Sequence, residues 1–344
     1  MIRSWLQRLL APSAPPPGSG AFSPRSVPES STPSPWMDVP TLMAIRSLEL
    51  RVHHLVEGLS RGIHRSVRRG YSTEFTEYRP YTPGDDLRHM DWRRLARTDR
   101  PFVRQYEDES EWGCLFVLDL SASMAFGSLS HSKADYARTL TGTLASFLHA
   151  QGDPVGLLRF AKDSGECVPL RHAPRHLARF WSVLAAPPAG DGTSLGQALL
   201  DATRLLRRPG LVVLLSDFLC APSLWAEPLR LLKAARHHVL GFQVLDPQEI
   251  LFSFEGDTRF ENLETPLALE LDATRARDAY LANFEKHRRE VASLCAAEGV
   301  PLLEARTNCP LEPLLRSALH EIARQRPLSA QARADAPEST SSPR

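Results

Sequence analysis

CLFVLDLSASM, residues 114 to 124, is the stretch whose reading decides the fold. Its first half, Cys114 to Leu118, is a short continuous apolar run, the pattern of a strand buried on both faces. Its second half turns abruptly to small oxygen-bearing side chains, Asp119, Ser121 and Ser123, spaced two apart. GLVVLLSD, 210 to 217, repeats the design and delivers Asp217 after its own apolar run. Between them SKADYARTLTGTLASFLHAQG (132 to 152) has the pattern of an amphipathic helix ending at a glycine. VGLLRF (155 to 160) and ECVPL (166 to 170) read as strands, and helices are predicted near 174 to 185 and over 194 to 208. Beyond Asp217 the alternation continues with a helix near 223 to 236, a strand at 237 to 246 and a hairpin-like stretch at 251 to 271. A long helix near 272 to 298, a strand at 300 to 306 and a helix at 311 to 325 complete it. Continuous apolar strands alternating with helices predict an α/β fold with a doubly wound, mainly parallel sheet covered on both faces.

The rest of the chain is organised around that core. Residues 1 to 39 are dominated by Pro and Ser, a composition that buries too little apolar surface to offset chain entropy, and the tail from 327 to 344 repeats it. Both are expected to be disordered. From Pro40 to Leu59, apolar residues recur near helical spacing and predict one amphipathic helix before Gly62. That helix and the charged segment up to residue 111 form the second expected region, and 112 to 326 the folded domain.

With 41 basic and 40 acidic residues, the formal charge of +1 removes any whole-chain argument for nucleic acid or an acidic membrane surface. Five cysteines with no CxxC pair read as reduced, mostly buried thiols. No apolar stretch reaches the roughly 18 residues of a membrane span, and the N-terminal apolar run is too short for a signal peptide. The expected compartment is the cytoplasm.

Asp119, Ser121 and Ser123 fall on the loop at the carboxyl end of a buried parallel strand, where open α/β sheets bind ligands. Asp217 reaches the same edge, and Thr193 of AGDGTSLG lies just before a helix. Two carboxylates and three hydroxyls are a hard, all-oxygen set that favours Mg²⁺, or another divalent cation such as Ca²⁺ or Mn²⁺. So lean a set leaves a coordination position for water or for a partner's Asp or Glu. Gly190 and Gly192 give the Thr193 loop freedom to move. The plainer alternative is a tight turn with a capping Asp and hydroxyls.

Asp-x-Ser-x-Ser followed by a distant Thr and a distant Asp resembles the metal-ion-dependent adhesion site of von Willebrand factor A domains, whose sheet has Rossmann-type topology. The segment GIHRSVRRGYSTEF, with EYRPYTPGDDLRHMDWRRLARTDRPFVRQYEDE after it, resembles the signature of the domain-of-unknown-function 58 family, and the likeness runs over roughly 60 to 320. That resemblance implies a non-catalytic interaction domain acting with a MoxR-type AAA+ ATPase, in a chaperone-like or maturation role on a client protein.

In the charged segment Glu74, Glu77, Arg79, Asp85, Asp86, Arg88, Asp91, Arg93, Arg94, Arg97, Asp99 and Arg104 pack opposite charges closely together, with Tyr78, Tyr81, Trp92 and Phe102 between them. Such density reads as a paired network that docks the segment onto the core. Single-stranded nucleic-acid binding is the lesser alternative, because the acids are nearly as numerous as the bases. A Mg²⁺-dependent phosphohydrolase is the other alternative. It would want a second carboxylate two residues after Asp119 or a positioned base, and neither a GxSxG elbow nor a phosphate-cradling loop is present.

Overall fold

The computed structural model describes residues 37–66, 78–80, 102–104, 112–161, 165–173, 175–187, 194–261 and 268–326. They fall into two units, the larger built from the chain up to Arg65 and from Trp112–Gln325. In the smaller, β1 (Tyr78–Pro80) pairs antiparallel with β2 (Phe102–Arg104). The rest of the charged segment, both termini and the Thr193 loop lie outside the described residues.

In the larger unit β3 (Cys114–Asp119), β4 (Val155–Phe160), β5 (Gly165–Arg171), β6 (Leu211–Ser216), β7 (His238–Leu245) and β10 (Leu302–Arg306) form one sheet. Its order is β10-β7-β6-β3-β4-β5. All neighbours are parallel except β5, which runs antiparallel to β4 at the edge, with a register shift between Val155 and Leu157. A separate hairpin pairs β8 (Asp257–Glu261) with β9 (Ala268–Asp272).

Period-two alternation divides the side chains of the central strands between two cores. Phe116, Leu118, Val213, Leu215, Phe242 and Val244 point to one face. There they meet α3 (Lys133–Ala150), α4 (His176–Ala185) and α9 (Leu311–Gln325). Leu115, Val117, Val212, Leu214 and Val239 point to the other, under α5 (Leu195–Leu205), α6 (Ala226–Ala234) and α8 (Ala273–Ala297). A short α7 (Pro247–Leu251) follows β7. This is the doubly wound sheet that the apolar runs predict.

The N-terminal region differs from the single helix expected. It forms α1 (Val39–Ala44) and α2 (Leu48–Ser66), because Asp38 caps the first and Ser47 restarts the chain by accepting from the Leu50 amide. Val39, Leu42, Leu55 and Leu59 are buried in the same core as the sheet, so these helices group with the α/β unit rather than with the charged segment. Their packing also explains why α3 is not the half-exposed amphipathic helix its periodicity suggests. With helices outside and the sheet inside, α3 is buried on nearly every side. Thr139 and Thr143 satisfy their hydroxyls on carbonyls one turn back, at 2.8 and 2.7 Å.

Gly142 marks the tightest of these contacts. A Cβ built there would lie 2.7 Å from the Trp181 ring on α4 and 3.0 Å from Val52 on α2. In an exposed helix Gly→Ala stabilises by about 1 kcal/mol. Here the added methyl must displace an indole, so Gly142→Ala is expected to lower stability by about 1–3 kcal/mol, the cost of overpacking, read as a lower midpoint in urea.

Candidate metal centre

The crevice between the carboxyl ends of β3 and β6 is where the strand order reverses, running to β4 and β5 on one side and to β7 and β10 on the other. Ligands bind at such a switch point in open α/β sheets. Asp119, the last residue of β3, and Asp217, the first after β6, both stand there and are both buried.

Each oxygen of Asp119 has a partner. Oδ1 accepts from the Ser121 amide at 2.9 Å, and Oδ2 accepts from Ser216 Oγ at 2.6 Å. Ser216 Oγ in turn accepts from the Phe218 amide at 3.0 Å. Phe218 holds a left-handed φ of 55°, rare for a bulky residue, and is kept there by burial against Trp225 and by His287 Nε2, which donates to its carbonyl at 2.7 Å. The backbone strain keeps the strand end turned so that Ser216 can bridge to Asp119.

The loop after Asp119 is equally constrained. A 3₁₀ turn over Ala122–Ala125 buries Met124 and places Ser121 Oγ 3.1 Å from Ser123 Oγ. Farther on, Ser128 donates to Asp246 through its amide at 2.9 Å and its hydroxyl at 2.5 Å. His131 Nε2 meets the Thr307 carbonyl at 3.0 Å. The loop is thereby stitched to the ends of β7 and β10.

Three further residues complete the site, and sequence reasoning missed all of them. Lys133, the first residue of α3, is fully buried and donates to Asp217 Oδ2 at 2.9 Å and to Glu249 Oε1 at 2.6 Å. Glu249 uses its other oxygen to cap the Asp246 amide at 2.9 Å. Its capping-box spacing from Asp246 was legible in the sequence, but its bond to Lys133 was not. The signals that existed were faint. Ser216 ends an otherwise apolar strand, and Lys133 puts a cation at a helix N-terminus, where the macrodipole disfavours it.

Of the five sequence-assigned ligands, the structure therefore brings together Asp119, Ser121, Ser123 and Asp217, while Thr193 lies outside the described residues together with Gly190 and Gly192. The stem of the Thr193 loop is clamped. Arg159 Nη1 donates to the carbonyls of Val183, Ala186 and Pro187 at 3.1, 2.8 and 3.2 Å, and Arg138 Nη2 to Ala186 at 3.0 Å.

The residues present fit a small hard cation. Two adjacent ligands on an octahedral Mg²⁺ lie about 3 Å apart, as the two serine hydroxyls do. The cluster of Asp119, Asp217, Glu249 and Lys133 holds three carboxylates against one ammonium, a shortage of positive charge in a buried place. Among the described residues no three His, Cys, Asp or Glu form a metal-holding group by themselves, so a ligand set here would rest on the serine hydroxyls as well as the carboxylates.

Burial and the nearby Asp217 charge push the Asp119 carboxyl up to about 7, against the pull of its bonds from Ser216 and Ser121. Burial alone would push the Lys133 ammonium down, but the Asp217 and Glu249 carboxylates hold it above its usual range. For Asp119 the folded chain holds a proton that the unfolded chain releases near pH 4, so its contribution favours folding less as pH rises from about 4 to about 7. In chelator, denaturant titrations are expected to show Asp119→Asn gaining stability relative to the native chain across that window. A pH-independent difference would contradict the assignment.

Comparisons with known proteins place the chain in a family. The model of the family described as "Protein of unknown function DUF58" matches residues 77–290. Uncharacterized proteins of Mycobacterium bovis and Mycobacterium tuberculosis are each 35% identical over 277 residues, covering 79% of this chain and 87% of theirs. Among solved structures, BatB of Bacteroides thetaiotaomicron aligns over 62% of this chain and 98% of its own, at 15% identity and a TM-score of 0.41. The SpRpn10 VWA domain aligns over 60% and 94%, at 10% identity and a TM-score of 0.36. Nothing further follows from structural likenesses this remote. No helix among the described residues is long and apolar enough to cross a membrane.

Proposed function

The chain belongs to the DUF58 family, and on that premise we propose that it is a protein-interaction module whose site at the ends of β3 and β6 holds a divalent cation, Mg²⁺ first. What carries this reading is one convergence: Asp119, Ser121, Ser123 and Asp217 meet at the switch point of the sheet with more buried carboxylates than the described residues pair with cations. A divalent ion would supply the missing charge, and its remaining positions suit a carboxylate from outside. Asp119, Ser121 and Ser123 would hold it from one loop, with Asp217 and Thr193 completing the set directly or through water.

The family resemblance supplies the partner, a MoxR-type AAA+ ATPase, with which the module would serve chaperone-like maturation of a client protein in the cytoplasm. The phosphohydrolase alternative needs a cation free to meet a transferring phosphate. Lys133 is the cation nearest the site among those described, but it is fully buried and committed to Asp217 and Glu249. The interaction reading is therefore preferred.

Titration calorimetry with the ATPase checks it, in Mg²⁺ and then in excess chelator. Binding is expected to weaken by at least about tenfold in chelator and to the same degree in a folded Asp119→Ala chain, which is about 1.4 kcal/mol or more. Unchanged affinity in both would place the interface elsewhere.

A further inference from the structure

Lys133 is an unusual ligand-site neighbour. A fully buried ammonium is normally retained only where paired charges hold it, and here both partners are carboxylates of different standing. Glu249 is fixed, since its second oxygen caps α7 through the Asp246 amide. Asp217 is the partner that a metal would also claim. The Lys133 backbone cannot move far: Ser132 and Asp135 form a capping box beside it, and the Lys133 amide donates to the Phe126 carbonyl at 2.9 Å. The mobile part is the four-carbon stem, whose ammonium can lose one acceptor and keep the other.

We propose that Lys133 is a tethered competitor for the cation, neutralising Asp217 when the site is metal-free and withdrawing to Glu249 alone when a divalent ion binds. This rests on the metal-binding reading and adds its regulation. Asp119, Asp217 and Glu249 against Lys133 leave two negative charges when all are ionised, the complement of one divalent ion. The ammonium therefore does two things: it keeps the empty site from holding two opposed carboxylates unscreened, and it sets a threshold of cation concentration below which the site stays closed on itself.

Mn²⁺ binding, followed by electron paramagnetic resonance of the free ion on the full chain, tests this without recourse to activity. Lys133→Met keeps the bulk of the stem and removes the charge. It is expected to tighten Mn²⁺ binding by about tenfold or more, since a competing cation a few ångströms away is gone. Lys133→Met with Glu249→Gln is the decisive variant, because it carries the same net charge as the native chain. If Lys133 competes for Asp217, the double variant still binds Mn²⁺ about fivefold or more tightly than the native chain. Affinity equal to the native chain in the folded double variant would mean that Lys133 contributes net charge alone, and would overturn the proposal while leaving the metal site standing. Mn²⁺ binding in neither chain would overturn both. The double variant loses an anion together with the cation, so it keeps the test decisive if Lys133→Met alone does not fold.

Discussion

Two carboxylates buried side by side at the ends of adjacent parallel strands are the constraint on which the rest of this structure turns. Burial and the neighbouring Asp217 charge push the Asp119 carboxyl up to about 7, and the surroundings offset that cost piecemeal. Ser216 and the Ser121 amide solvate Asp119, while Lys133 and the Leu219 amide solvate Asp217. Each helper needs its own support. Ser216 depends on the left-handed turn at Phe218, that turn on Trp225 and His287, and Lys133 on Glu249 and the capped start of α7. The loops at this edge are thus ordered from the carboxylates outward, in the way a fully satisfied polar network specifies one arrangement.

The apolar runs of β3 and β6 made the sheet legible, because a strand buried on both faces leaves little choice of residue. Position along the chain was enough to assign Asp119, Ser121, Ser123 and Asp217 to one edge, since a parallel strand of known direction puts its last residue there. What could not be read was long-range. Lys133, Glu249 and Ser216 act through partners 84, 116 and 97 residues away, and their faint local signals do not reveal those partners. The break between α1 and α2 was missed for a different reason. Apolar spacing continues across residues 45–47, and only the hydrogen bond from the Leu50 amide to Ser47 reveals the restart.

The full burial of α3 likewise reflects an element contributed from outside the α/β alternation. Helical periodicity reports how apolar residues are distributed around a helix, but small residues such as Gly142, Thr139 and Thr143 are neutral in that count. Gly142 is the residue that lets α4 and α2 approach, so a position that weakens the amphipathic pattern permits the third layer. The site inherits stiffness from this arrangement, since Lys133 begins the helix that the whole assembly encloses.

The antiparallel edge strand β5 narrows how another molecule can engage this domain. Pro169 stands exposed within it at the register irregularity, without an amide hydrogen to give, and Glu166, two residues before Val168, is exposed as well. A neighbouring chain that tried to extend the sheet here would meet a gap in the ladder and a desolvated charge. Recruitment by strand addition, common among peptide-binding folds, is thereby closed on this side, as is side-by-side aggregation through the same edge. On this side recognition is left to side chains presented by loops, where selectivity can be altered one residue at a time without disturbing the sheet beneath.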